Sequence, residues 1–265
     1  MRPRVSIGRA LLRLGSFIQS LPVVIMKPDD LIEFSRQTYK QTNTVESWSD
    51  ESLVDTGLYP NEMKLLEKLP KSSGSLLLLG VGGGREAIVF ARMGFKVTGV
   101  DFIPAMVKKA EENAERRGLK IYGLVQDISK LDISMSSFDT IWLSNGMFSC
   151  IPTRKNRIIF LKRIFQALKP GGFFVCPFHW DERVTRSSKG DFLRKTFTIL
   201  TLGNYWYEKG DMLWLNIEFI HAFSSKDILI SELKEGGFEV VDIQISEKIL
   251  KGGAILKKAP TNLLN

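Results

Sequence analysis

The sequence predicts an α/β fold built on a doubly wound, largely parallel sheet, and three observations carry that prediction. Between Ser75 and Asp101 an apolar run, Leu76–Leu79, leads into a loop with four glycines in five positions, Gly80, Gly82, Gly83 and Gly84. A helical stretch and a second apolar run closing on Asp101 follow. Beyond Asp101, strand-like and helix-like segments alternate as far as Pro177. Such alternation gives parallel strands joined by helices, with ligands received at the carboxyl ends of the strands. The length of 265 residues, 44% hydrophobic and 25% charged, suits one globular domain with elaborations.

The chain opens on a segment of its own character. Residues 1–28 hold Arg2, Arg4, Arg9, Arg13 and Lys27 with no acid before Asp29, and Ile7, Leu11, Leu14, Ile18 and Leu21 recur at helical spacing. This is a basic amphipathic helix. Its first reading is packing of the apolar stripe on the domain or on a second copy. Contact with an anionic membrane surface comes second, and an organelle-targeting peptide third. A secretory signal is disfavoured because Arg9 and Arg13 interrupt any apolar centre. Residues 29–70 read as polar and helical, with Tyr39 and Trp48 as packing aromatics and a helix around Asn61–Leu69, so that residues 1–70 form a helical extension capping the domain. Pro70–Gly74, reading P-K-S-S-G, then breaks the helix.

Residues 71–258 form the main domain. Leu76–Leu79 is too short for a helix and apolar throughout, as in a strand covered on both faces. A helix begins near Arg85, and the second strand ends at Asp101. Pro104 opens a helix that runs to Arg117 and ends at Gly118. Leu119–Val125 is the third strand and Phe138–Ser144 the fourth, followed by the loop Asn145–Ile151. Arg154–Leu168 is an amphipathic helix stopped by Lys169-Pro170-Gly171-Gly172, and Gly172–Pro177 is the fifth strand. An extra block, His179–Ala222, holds a helix at Lys189–Leu202 and an aromatic hairpin from Tyr205 through Trp214. The helix Phe223–Gly237, the strand Phe238–Ser246 and a short strand Gly253–Lys257 complete the domain. That last strand is reached through a loop containing Lys251-Gly252 and pairs antiparallel at the sheet edge; the tail Lys257–Asn265 is frayed.

Composition narrows the chemistry. The net charge of +8 is spread along the chain and reads as a solvated basic surface rather than a nucleic-acid footprint. Cys150 and Cys176 sit in apolar stretches and read as small buried hydrophobes in a reducing compartment. With only His179 and His221 and no Cys/His cluster, no metal site is expected. No apolar run reaches membrane-spanning length, and the chain is expected to be cytoplasmic, with residues 1–28 able to touch a membrane.

The glycine loop carries the binding chemistry. Glycines lack a Cβ, so the backbone turns sharply and a ligand can approach it. The following helix points its first N–H groups at that turn. Asp101 stands about twenty residues past Gly80, where such a unit places an acid to receive ribose hydroxyls. A nucleoside-containing cofactor follows. The dinucleotide pattern G-x-G-x-x-G needs glycine at position 85, where Arg85 stands, and no G-K-[ST] follows.

From Ser75 to Lys257 an ordered set of motifs resembles the class I S-adenosylmethionine-dependent methyltransferases. The set is Leu79-Gly-Val-Gly-Gly-Gly84, Val100-Asp101, Gln126-Asp127-Ile128, Phe138-Asp139, Leu168-Lys-Pro-Gly-Gly172 and Glu235-Gly-Gly-Phe238. The resemblance implies a Rossmann-like seven-stranded sheet of order 3-2-1-4-5-7-6 with strand seven antiparallel. It implies that Gly80, Val81, Gly82, Gly83 and Gly84 line the methionine part of the cofactor. Asp101 would hold the ribose, Phe102 would lie against the adenine, Asp127 would accept from its amino group with Ile128 on the ring, and Ser144 and Asn145 would flank the sulfonium and the acceptor. The family usually carries an acid two residues before the first glycine to hold the cofactor's ammonium group; here that position is Leu78. A buried ammonium without a partner is costly, so another acceptor is needed, and the Gly80 carbonyl and Glu86 are the candidates.

Methyl transfer is an in-line displacement in which the protein positions the acceptor and excludes water. Where the acceptor loses a proton, His179, just beyond the fifth strand, is the candidate base. The block 179–222 is read as the acceptor pocket or its lid. The acceptor expected is a small or lipid-like molecule. A nicotinamide-dependent oxidoreductase and a cofactor-binding protein without catalysis are the alternatives. Nucleic acid is disfavoured, because Ser144-Asn-Gly-Met follows the fourth strand in place of the Asn/Asp-Pro-Pro-aromatic run of amino-methylating nucleic-acid enzymes.

Overall fold

The structure, a computed structural model, describes residues 2–70, 73–184 and 188–259. The chain begins with helices α1 (Pro3–Ser20), α2 (Pro22–Ile25), α3 (Pro28–Tyr39), α4 (Thr42–Ser49), α5 (Glu51–Val54) and α6 (Pro60–Glu67). Prolines at the first turns of α1, α2, α3 and α6 set the breaks between them. The domain follows as β1 (Gly74–Leu79), α7 (Arg85–Arg92), β2 (Phe95–Asp101), α8 (Pro104–Glu115), β3 (Ile121–Val125), β4 (Phe138–Leu143), α9 (Arg154–Ala167) and β5 (Leu168–His179). After β5 come α10 (Ser188–Thr201), the hairpin β6 (Asp211–Trp214) and β7 (Glu218–His221), α11 (Lys226–Glu235), β8 (Glu239–Ser246) and β9 (Lys251–Lys257).

The main sheet has seven strands in the order β3-β2-β1-β4-β5-β9-β8, which is the expected 3-2-1-4-5-7-6 once the separate β6–β7 hairpin is set aside. β1 pairs parallel with both β2 and β4, while β9 runs antiparallel to β5 and β8. The four leucines of β1 are fully buried. Leu77 and Leu79 pack with Ile141, Phe160 and Leu233 on one side, and Leu76 and Leu78 pack with Phe90, Trp142 and Val175 on the other. The run is continuous because helices cover both faces. The chain reverses direction across the sheet between β1 and β4, so their carboxyl ends open a crevice at the glycine loop.

Two readings are corrected. The apolar stripe of α1 does not pack on the domain: Ile7 and Leu11 are 60% and 62% exposed, and α1 has no buried residue. The helix touches its neighbours through half-buried Gly8, Gly15, Phe17 and Ser20, which lie off that stripe. The final strand starts at Lys251, because Lys251 and Gly252 pair with His179 and Phe178. A Cβ on Gly252 would come within 2.4 Å of the Phe178 ring, which accounts for a glycine inside that strand. The expected fraying from Lys257 falls partly outside the described residues, as do Lys71 and Ser72 of the helix breaker.

Candidate cofactor and acceptor site

The carboxyl ends of β1, β2 and β4, with α3 and α4 above them, enclose a cavity of about 260 Å³. The glycine loop forms its floor. The amides of Gly80 and Val81 both donate to the Val100 carbonyl, at 2.8 and 2.9 Å, which folds the loop back over β2. At Gly82 φ is +50° and a Cβ would meet nothing within 4 Å, so this position faces open cavity. Gly83 lies under α4, where a Cβ would stand 2.3 Å from the Trp48 carbonyl oxygen. Gly80, Val81, Gly82 and Gly83 line the cavity. Gly84 instead gives α8 close approach, with Ala110 Cα 3.2 Å from its would-be Cβ.

Asp101 is pinned by two backbone donors: the Gly82 amide to Oδ2 at 3.1 Å and the Ile103 amide to Oδ1 at 3.0 Å. Each oxygen keeps acceptor capacity toward the cavity, the arrangement a vicinal diol needs. Burial raises its pKa, and the two amides oppose that shift. Phe102, Asp127 and Ile128 line the same side. Asp127 Oδ1 accepts from the Ser129 amide at 2.9 Å and from its hydroxyl at 2.8 Å. Its Oδ2 is ion-paired to Arg36 of α3, whose Cζ lies 5.6 Å from the centre of the Phe102 ring.

The position two before Gly80 is apolar in fact as in sequence, since the Leu78 side chain is wholly within the core. The carboxylate nearest in role is Glu86, at the start of α7. It lines the cavity, accepts from the Ser144 hydroxyl and pairs with Arg85 at 2.8 Å. Arg85 turns away from the loop and makes a bidentate pair with Glu62 of α6 at 2.7 and 2.9 Å, with the Tyr59 ring 4.0 Å from its Cζ. Burial and the neighbouring Glu62 raise the pKa of Glu86, while Arg85 and Ser144 oppose the rise. One guanidinium thus serves two acids, and with both ionised the cluster has room for one more cation. The donor set therefore fits S-adenosylmethionine: a pinned diol acceptor, an aromatic face with a carboxylate beside it, and a buried carboxylate for an ammonium.

Beyond β4, Asn145 accepts from Lys251 Nζ at 2.6 Å. Glu218 of β7 lines the cavity here. Its Oε2 accepts from the Tyr39 hydroxyl at 2.8 Å and from Cys150 Sγ at 3.7 Å. Burial raises the pKa of Glu218, although Tyr39, Cys150 and Lys251 favour its charged form. His179 is not among the lining residues. Its ring lies 5.7 Å from that of Trp214 and 3.0 Å from a would-be Cβ on Gly146, and burial, with Lys251 nearby, lowers its pKa to about 4.

Arg36, Tyr39, Trp48, Cys150 and Glu218 line the cavity without having been singled out as site residues from sequence. Cys150 is half-buried and faces the cavity, unlike Cys176, which is a core residue as expected. Elsewhere, Glu208, Asp211 and His221 bring ligand atoms within 4.8 Å of one another. Arg157 already supplies a cation to Glu208 at 2.9 Å, and Asp211 Oδ1 bonds His221 Nδ1 at 2.7 Å.

Residues 76–172 match the family model described as a methyltransferase domain. The 2-methyl-6-phytyl-1,4-hydroquinone methyltransferase of Synechocystis is 30% identical over 49% of this chain and 39% of its own length. A ubiquinone biosynthesis O-methyltransferase of Maricaulis maris is 28% identical over 62% of this chain and 59% of its own. The chain thus spans about half the length of the curated relatives it matches. Among solved structures, a methyltransferase from Methanosarcina mazei superposes with a TM-score of 0.59 at 23% identity, covering 77% of this chain and 99% of that one. The 1,6-didemethyltoxoflavin-N1-methyltransferase of Burkholderia thailandensis, solved with its substrate and S-adenosylhomocysteine, gives 0.58 at 19% identity over 86% and 88%. These superpositions share the fold.

Proposed function

We propose that this member of the class I S-adenosylmethionine-dependent methyltransferase family transfers a methyl group to a small-molecule or lipid-like acceptor. One observation carries the reading: a single cavity joins the pinned Asp101 and buried Glu86 to the Glu218–Tyr39 pair, between apolar walls that include Ile32, Leu53, Met106 and Ile151. The relatives named for a phytyl hydroquinone and for O-methylation in ubiquinone biosynthesis support an apolar acceptor carrying a hydroxyl. The same reading places the chain in the cytoplasm, in peripheral contact with a membrane through residues 1–28, where a lipid-like acceptor resides.

When bound, the cofactor supplies a methyl group activated by a positively charged sulfur. Asp101 would receive its ribose hydroxyls, Phe102, Asp127 and Ile128 its adenine, the loop Gly80–Gly83 its methionine part, and Glu86 its ammonium in place of the acid missing at Leu78. Ser144 and Asn145 would flank the acceptor. The work left to the chain is to orient that acceptor, exclude water and take its proton. The base assigned is Glu218 rather than His179. Its carboxylate borders the cavity, Tyr39 holds its orientation, and burial raises its pKa above the usual carboxylate value. His179 lies behind Gly146, and a pKa near 4 leaves it weakly basic. The block 179–222 closes the acceptor side through Glu218, and α3 and α4 close the cofactor side through Arg36, Tyr39 and Trp48.

The test is Glu218→Gln in an assay for release of the demethylated cofactor across a panel of phenols and quinols. The expected result is a fall in kcat of roughly 10²–10⁴-fold with loss of the acidic limb of the pH–rate profile. An unchanged rate and profile would remove Glu218 from the chemistry.

A further inference from the structure

We infer that α10 and the tip of the β6–β7 hairpin join α1 in one face that docks on an anionic lipid bilayer. The inference builds on peripheral contact through residues 1–28 and is independent of methyl-transfer chemistry.

Helix α10 is amphipathic in the reverse sense for a soluble domain. Phe192, Leu193, Thr196, Ile199 and Leu200 recur at i, i+1, i+4, i+7 and i+8, which is one face of a helix. Phe192, Ile199 and Leu200 are 71%, 62% and 75% exposed, whereas Thr198 on another side is only 4% exposed. The inward attachment is close and in part polar: the Asn204 side chain donates to the Val23 carbonyl at 3.2 Å, and Gly203 lies against the Val24 and Ile25 backbone. An apolar stripe kept outward while a threonine goes inward is not explained by folding of the chain itself.

Two leucines add to this. Leu202, directly after α10, and Leu215, in the hairpin turn, have φ of +50° and +51° with side chains 67% and 72% exposed. A left-handed backbone costs a non-glycine residue about 1–2 kcal/mol, so glycine or asparagine would serve either turn better if water were the only neighbour. Tyr205 and Trp206, also exposed, lie between them in sequence, and such rings favour a membrane–water boundary.

Helices α1 and α10 belong to one surface, and β6 of the hairpin packs beside α1 and α2. The Phe17 and Phe197 rings of α1 and α10 lie 6.4 Å apart, and Arg194 Nη2 donates to Ser20 Oγ at 3.4 Å. Charge selects the occupant. Arg4 flanks the α1 stripe, exposed Arg2 and Arg13 add charge on the far side of the same helical segment, and no acid lies on residues 1–28. Anionic headgroups complement them, whereas an isologous contact with a second copy would bring like charges together. The arginines are spread through α1, so the helix lies along the interface.

The test is co-sedimentation of the full chain with vesicles of phosphatidylcholine, alone or mixed with phosphatidylglycerol. Wild type is expected to pellet with the mixed vesicles and to be released by salt. Phe192→Ser with Leu200→Ser, and separately Arg4→Glu with Arg13→Glu, should each weaken partitioning about tenfold or more while leaving the unfolding midpoint in place. Wild type that ignores anionic vesicles would overturn the inference, as would a Phe192/Leu200 variant that binds like wild type. So would analytical ultracentrifugation showing a dimer that this variant dissociates, which would give the face to a second copy.

Discussion

Replacing Glu86 by glutamine takes one charge out of the cavity and leaves the packing around it in place. Arg85 keeps its bidentate partner Glu62 at 2.7 and 2.9 Å, and the glutamine side-chain oxygen can still accept from the Ser144 hydroxyl. The substitution also removes a carboxylate whose ionised form burial disfavours and leaves Arg85 paired with Glu62, so the fold should lose little stability. Binding should respond much more. Glu86 is the carboxylate assigned to the cofactor's ammonium because Leu78 offers none, and a hydrogen bond to a charged group is worth about 1.5–3 kcal/mol. That corresponds to a loss of about 10- to 150-fold in affinity. Isothermal titration of the variant with S-adenosylmethionine measures it, and 5′-methylthioadenosine, which has the nucleoside but no ammonium, is the control. A large loss is expected for the first ligand and none for the second. Unchanged affinity for S-adenosylmethionine, or equal losses for both ligands, would refute the assignment.

Two other substitutions test the frame of the site. Gly83→Ala puts a Cβ 2.3 Å from the Trp48 carbonyl oxygen and 2.5 Å from Ser49 Cα, both backbone, so α4 must move off the loop. A loss of roughly 1–3 kcal/mol in urea unfolding is expected, and an unchanged midpoint would mean that α4 does not rest on the loop as described. His179 gives a pH dependence. Its pKa falls from 6.5 to about 4 on folding, so the folded chain binds fewer protons than the unfolded chain between those values. Its contribution to stability is therefore present above about pH 6.5 and lost as pH falls toward 4, by about 3 kcal/mol in all. The raised pKa values of Asp101, Glu86 and Glu218 act in the opposite sense. The difference between wild type and His179→Gln isolates the histidine, and the variant should lose that much less over this window. Parallel pH–stability curves for the two proteins would contradict a buried neutral imidazole.

The parallel sheet was readable because strands covered on both faces leave continuous apolar runs, as Leu76–Leu79 does. The Leu-Gly-Val-Gly-Gly-Gly loop and Asp101 were readable because their spacing is local. The start of β9 was not, since Lys251 and Gly252 look like a turn until β5 lies beside them. Nor could the walls of the cavity be anticipated. Tyr39, Cys150 and Glu218 meet within hydrogen-bonding reach although 111 and 68 residues separate neighbours in that series. None carries a local pattern, and only the packing of α3 and the hairpin against the end of β4 brings them together. Tyr39 and Trp48 read as packing aromatics, and they do pack, but against a cavity. The spacing of Ile7, Leu11, Leu14 and Ile18 marks an apolar stripe on α1, yet periodicity states only that one face is apolar and not what covers it.

The central claim is that the Gly80–Gly84 loop and Asp101 serve S-adenosylmethionine. Calorimetric titration of the full chain with S-adenosylmethionine, its demethylated product and NAD tests this most directly. The account predicts that the first two bind and that Asp101→Ala abolishes or greatly weakens both. Binding of NAD alone would contradict it.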